Sequence, residues 1–255
     1  MDFIRYSDAL LSAIKHSTKD QEIITKKQDI LDGIYLFHNF VPSTTLFVGF
    51  SPAILSGKNG SVYVTGVTNN VLNYLDDNKI KYTYVSETDL IRDHKNFDVV
   101  VAMDEYFTFA DSDQSQQNSI KQICALAREF VVSTLRDYKN QDFKDREFSI
   151  PAVIRYGKEN VIYSEFHDWD ITNRNAWNTT VYEITNPDHE LVTYGPFERR
   201  TMYFKQLAKF SIDAGASDFV VHKNLMYKSL IKKNYEHVIS IRFDDQWTYQ
   251  NNSTR

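Results

Sequence analysis

The chain has little of what staples small or secreted proteins together. It carries one cysteine, Cys124, in 255 residues, which excludes an internal disulfide and any zinc cluster built on cysteine. No apolar run approaches the roughly 20 residues needed to span a bilayer. The opening stretch "MDFIRYSDALLSAIKHS" breaks its apolar residues with charge, unlike a secretory leader, and a cytoplasmic setting is expected. Positive charge is not in excess: the net charge is −5, which argues against a general polyanion binder. Glycine numbers 8 and proline 5. There is no Gly-x-x-x-x-Gly-Lys-Ser/Thr loop and no Gly-x-Ser-x-Gly elbow, so neither a P-loop nucleotidase nor a hydrolase of the elbow type is indicated.

What remains is ordinary core material, 42% hydrophobic and 14% aromatic, enough to fold without metals or disulfides. Phe3, Leu10, Leu11 and Ile14 fall on one side of a helix, and Ile30, Ile34 and Phe37 on one side of a second. Strands and helices then alternate. "TLFVGF", "SVYVTGV", "YTYVS", "FDVVVAM" and "FVVSTL" read as strands, with a helix over "NNVLNYLDDNKI" and another through Ile120, Ile123 and Ala127. This alternation predicts a parallel sheet with right-handed crossovers. Residues 137–150 read as a charged loop. "NVIYSEF", "TTVYEIT" and "ELVTYG" read as short antiparallel strands, parted by polar segments such as "HDWDITNRNAWN". From Arg199 the spacing of Tyr203, Leu207, Phe210 and Ala214 predicts a last helix, closed at Gly215. "DFVVH" and "HVISIRF" follow as strands, and the tail from Asp244 is expected to be poorly ordered.

Five strands with crossovers, a helix ending in Ala-Gly within "SIDAGASDFVV", and two closing strands resemble the class I S-adenosylmethionine-dependent methyltransferases over roughly residues 30 to 243. The resemblance implies an α/β fold: a Rossmann-like, doubly wound, mostly parallel seven-stranded sheet whose last strand is antiparallel, with an inserted antiparallel β segment. The expected organisation is one domain over residues 1–255, with N-terminal helices at 1–41 and the inserted β or lid segment at about 137–198.

In that family an acid within the first strand precedes Gly-x-Gly-x-Gly. Laid on "LFVGFSPAIL", Gly49, Ser51 and Ala53 take the glycine positions, and Phe47 stands in place of the acid. Small residues suit a turn where backbone approaches a ligand; the stretch also reads as a strand–helix corner with Pro52 in the first helical turn. Thr68 stands where the family's ribose-binding acid would be, and also reads as a helix cap. Asp89 resembles the acid that contacts the adenine amine, or else a capping or surface acid. Asp104 and Glu105 end the fourth strand, where ligands bind in open α/β sheets. The implied cofactor is S-adenosylmethionine, held by Gly49, Ser51, Ala53, Thr68, Asp89 and Asp104 across the carboxyl ends of the first, second and fourth strands. With that site, Gly49→Val is expected to abolish binding and leave the fold largely intact, and Thr68→Asp to tighten binding.

"SEFHDWD" gathers Glu165, His167, Asp168 and Asp170 around Trp169. On a strand, Glu165 and His167 share one face while Asp168 points away, and with no second histidine-rich element a metal is not expected. Arg174 and Trp177, Glu198 to Arg200, and Arg136 with Lys139 suit stacking, anion recognition or a protein interface; solvated charged edges are the alternative. The Asn-Pro-Pro-Tyr type of tetrad found in amino-methylating DNA and protein enzymes is absent, so nucleic acid is not an expected partner. Two functions stay open. One is a methyltransferase acting on a small molecule or protein side chain by direct displacement, for which no catalytic residue is singled out. The other is an inactive methyltransferase-fold module that binds a protein through the inserted β segment.

Overall fold

The structure, a computed structural model, describes residues 2–17, 19–93, 96–138, 146–156, 159–170, 172, 175–186, 190–231 and 235–243. Lys139, Arg174 and the tail from Asp244 fall outside the described residues.

Two helices open the chain, α1 (Asp2–Lys15) and α2 (Asp20–Phe37). Phe3, Tyr6, Leu10, Leu11 and Ile14 of α1 are all buried. The face read for α2 is only partly right: Ile34 is buried and Phe37 is exposed, because the helix ends there. An alternating region follows: β1 (Thr44–Val48), β2 (Ser61–Thr65), α3 (Asn69–Asp77), β3 (Thr83–Tyr84), α4 (Glu87–Asp93), β4 (Phe97–Ala102), α5 (Asp113–Leu126) and β5 (Ala127–Leu135). Every residue of β4 is buried, as the near-continuous apolar run requires of a strand covered on both faces.

A second β region comes next: β6 (Arg146–Phe148), β7 (Ala152–Tyr156), β8 (Glu159–Trp169), β9 (Ala176–Asn186) and β10 (Glu190–Arg200). The chain closes with α6 (Phe204–Asp213), β11 (Asp218–Lys228) and β12 (Tyr235–Arg242).

The main sheet has the order β11-β12-β5-β4-β1-β2-β3. Strands β1 to β5 pair in parallel, and β12 runs antiparallel to both β5 and β11. This is the doubly wound sheet with an inverted last strand that the sequence implied. The second sheet is antiparallel, in the order β10-β9-β8-β6, with β7 also paired to β8. Its strands are longer than the sequence indicated: "HDW" belongs to β8, "AWN" to β9, and Arg199 and Arg200 to β10 rather than to the last helix. Strand β7 lies outside the strands read from the sequence, and β6 falls within the residues read as a charged loop.

The placement of α1 governs the site. It packs against α3 and β10, in the cleft between the carboxyl edge of the main sheet and the inner face of the second sheet. No helix among the described residues is long and apolar enough to cross a membrane.

Candidate functional site

The turn after β1 begins at Gly49, with φ +82, a left-handed conformation that glycine adopts without steric cost. Its N–H donates to the Thr65 carbonyl at 2.9 Å. Ser51 is extended (φ −133) and caps the short 3₁₀ helix Pro52–Ser56, its hydroxyl accepting from the Ala53 N–H at 3.4 Å. Glycine is therefore not required at 51, and Ala53 fits, fully buried, inside the turn. Phe47 is fully buried in β1.

The helix α1 lies over this turn. A Cβ placed on Gly49 would collide with the ring of Phe3. The Phe50 N–H donates to Ser7 Oγ at 3.1 Å. At the end of β2, Thr68 caps α3 and donates its hydroxyl to Asp8 Oδ1 at 2.6 Å. The first two turns of the chain's own first helix thus lie against the ends of β1 and β2, in the space expected for a cofactor. Two expectations change. Gly49 is not superficial, because its missing side chain is what seats Phe3 in the core. Thr68 does not stand alone, because Asp8 already brings a carboxylate to it.

The end of β4 carries the main electrostatic feature. Asp104 and Glu105 are consecutive left-handed residues, with φ 55 and φ 57. Such a conformation costs a non-glycine residue about 1–2 kcal/mol, and it persists where surrounding contacts over-determine it. Here they do. The Glu105 N–H donates to Thr134 Oγ1 at 3.3 Å, and its carbonyl accepts from the Thr108 hydroxyl at 2.8 Å. The Glu105 carboxylate, fully buried, accepts from Tyr138 at 2.5 Å, from Arg199 at 3.2 Å and from Arg136 at 3.3 Å. Burial is the largest influence on Arg136 and Arg199 and opposes their charge, but Glu105 together with Tyr138 and Glu165 outweighs it and both guanidinium pKa values are raised. Asp104 accepts from the Tyr227 hydroxyl, and Lys27 of α2 lies over the Tyr227 ring, 3.2 Å from its centroid. Burial lowers the Lys27 pKa to about 8, against an opposing pull from Asp104.

The second sheet completes the cluster. Arg199 projects inward from β10 and donates to Thr108 Oγ1 at 2.7 Å, with its guanidinium 4.3 Å from the Phe109 ring centroid. Glu165 and His167 share the inward face of β8, as their spacing indicated, 3.1 Å apart. Asp168 points away to an exposed pair with Arg146 at 3.0 Å. Tyr6 of α1 donates to Glu165 at 2.6 Å; burial and then the Glu165 charge push its pKa well up, so it stays a donor. Arg199 Nη1 and Arg136 Nε make no hydrogen bond among the described residues. Asp89 lies in the first turn of α4, accepting from the Ser86 hydroxyl at 2.6 Å, where it serves the helix start.

Of the residues singled out beforehand, Gly49 and Thr68 are brought together by α1. Asp104 belongs to the buried polar cluster, and Asp89 to its own helix. Tyr6, Asp8, Glu105, Tyr138 and Tyr227 had been given no site role or a lesser one. Only the shared face of Glu165 and His167 signalled a polar interior.

No protein-family model matches the chain, and no curated protein does. Solved structures do. The chain is similar to DesVI of Streptomyces venezuelae, at 12% identity and a TM-score of 0.64, over 88% of this chain and 92% of that one. It is similar to an S-adenosylmethionine-dependent methyltransferase of Clostridium acetobutylicum, at 11% identity and 0.61, over 86% and 91%. It is also similar to the sugar N-methyltransferase KedS8 of a Streptoalloteichus species, at 8% identity and 0.60, over 87% and 88%. The chain has the fold of the class I S-adenosylmethionine-dependent methyltransferases.

Proposed function

We propose that the protein is an S-adenosylmethionine-dependent methyltransferase acting on a small polar molecule between its two sheets, and that the first turn of α1 closes its cofactor loop in the state described. The observation that carries the reading is the strained pair Asp104–Glu105, held left-handed at the carboxyl end of β4 amid buried arginines and tyrosines. A protein with no ligand at this edge gains little from burying so many charges, since desolvation can exceed the attraction between them.

The residues fit the cofactor in part. Gly49 gives the close backbone approach, and the Thr68 hydroxyl and Asp8 carboxylate offer polar groups at the end of β2. Phe3 must leave its seat first. Bound S-adenosylmethionine supplies an activated methyl group, so the protein's task is alignment more than proton transfer. Glu105, fixed by Arg136, Arg199 and Tyr138, holds its orientation, while Tyr6 and Glu165 place a donor and an acceptor on the opposite wall. A buried site walled by alternating charges and aromatics suits a compact polar acceptor, and KedS8, by its description, acts on a sugar.

A second reading, a module that binds no cofactor, is favoured by the same Phe3 contact and by Asp8 satisfying Thr68. Calorimetric titration of the wild type and Phe3→Ala with S-adenosylmethionine and S-adenosylhomocysteine separates the two. Heat from either protein supports the enzyme. Silence from both, with circular dichroism unchanged, leaves the module.

A further inference from the structure

The inner face of the second sheet covers α1; its outer face is a different surface. Strand registers place Val153, Ile162, Ile184 and Leu191 in one row across β7, β8, β9 and β10. The next row outward-facing along the strands is Ser164, Tyr182 and Thr193, and the one after is Phe148, Phe166 and Thr180. These three central rows contain no charged residue. Phe148 is 64% exposed, Leu191 59% and Val153 56%. The Phe148 ring lies 4.9 Å from Phe166 and 6.2 Å from Tyr182, so the aromatics form a contiguous patch. Charge resumes at one end, in the Arg146–Asp168 pair.

We infer that this outer face is the interface of a two-fold dimer, and that its occupant is a second copy of the chain. Three 11-residue strands and the shorter β6 and β7 beside them, about 4.8 Å apart at about 3.3 Å per residue, give a face of about 650 Å². That is close to the ~800 Å² per partner of a standard stable interface. Two such faces stack at about 10 Å in the manner of a β-sandwich. A two-fold axis sets each patch against its own copy, where any central charge would meet its like; the three central rows avoid this, and the charged pair stays at the rim as interfaces require. A chain with net charge −5 could not easily self-associate through a charged face. The inference is independent of cofactor binding, because the outer face lies opposite α1.

The test is the mass of the full chain by light scattering during gel filtration, up to roughly 100 µM, for three proteins. The wild type is expected at twice 29.8 kDa. Phe148→Glu/Leu191→Glu is expected at 29.8 kDa with unchanged circular dichroism. Leu36→Glu/Val41→Glu, which charges the other exposed apolar patch at the end of α2, is expected to remain dimeric. If the first double variant misfolds, Leu191→Arg alone serves in its place. A monomeric wild type overturns the inference. So does a folded Phe148/Leu191 variant that stays dimeric, or a dimer lost only in the Leu36/Val41 variant.

Discussion

Replacing Phe3 by alanine tests the central geometric claim, that one aromatic ring stands between the cofactor and its glycine turn. Phe3 is 2% exposed and packs edge-on against Tyr106 and Phe109, with ring centroids 4.9 Å away in each case. It sits in the first turn of α1, so the ring can swing out by fraying that turn while Tyr6, Leu10, Leu11 and Ile14 stay buried. Exposing one phenylalanine costs about 1.5–3 kcal/mol, and the two aromatic contacts add about 0.5–1.5 kcal/mol each. The wild type must meet that cost, about 2.5–6 kcal/mol in all, before ligand reaches Gly49. At about 1.4 kcal/mol per factor of ten, Phe3→Ala should tighten S-adenosylhomocysteine binding by about two to four orders of magnitude. The same substitution should lower stability by about 3–5 kcal/mol through the lost packing, so titration belongs at low temperature with folding checked first. Calorimetry reads both dissociation constants. Equal constants for the two proteins would refute the reasoning, since the ring would then not compete with the ligand.

Thr68→Asp should destabilise the protein instead of improving binding, because the new carboxylate meets Asp8 across the present 2.6 Å bond; the deficit should shrink as pH falls, because the folded pair takes up a proton more readily than unfolded aspartate, and should be gone below about pH 4, and denaturant melts at pH 3.5 and 7 would show it. Gly49→Val should melt well below wild type even without ligand, since the side chain collides with Phe3 and adopts a positive φ, and the double variant with Phe3→Ala should recover only part of the loss. Glu105→Gln should cost about 3–5 kcal/mol by leaving Arg136 and Arg199 without their buried carboxylate, which chemical denaturation measures. Lys27 has a folded pKa lowered to about 8, so above pH 8 the folded state holds fewer protons than the unfolded one. Unfolding free energy should therefore rise by about 2 kcal/mol between pH 7 and 10, and Lys27→Met should flatten that slope.

The main sheet was legible because its strands are apolar runs: Phe97 to Ala102 could be nothing but a central strand. The second sheet was legible only in pieces. Its inward positions run from Val161, Tyr163 and Phe197 to Glu165, His167, Thr179 and Arg199, all buried, so hydrophobic alternation breaks off where the core turns polar. Arg199, a charged residue at an inward strand position, carries no strand signal, and the helical spacing that follows it starts the last helix too early. The cofactor turn was readable as a turn, and Thr68 as a cap, because both are local. That Phe3 fills the space over Gly49 and Asp8 meets Thr68 was not, because those contacts join residues 46 and 60 positions apart and depend on how α1 docks.

The docking of α1 also sets an order of assembly. Its Tyr6 bonds to Glu165, 159 residues on, and its Asp2 to the Glu198 N–H, 196 residues on. At about 5–20 residues per second of synthesis, the helix precedes its last partner strand by roughly 10–40 s. During that interval Phe3, Leu10, Leu11 and Ile14 have no second sheet to lie against. The helix can already reach the loops after β1 and β2 of the nascent main sheet, but nothing holds it from its other side until β10 has been made. A ligand for those loops would find them least firmly closed on the growing chain.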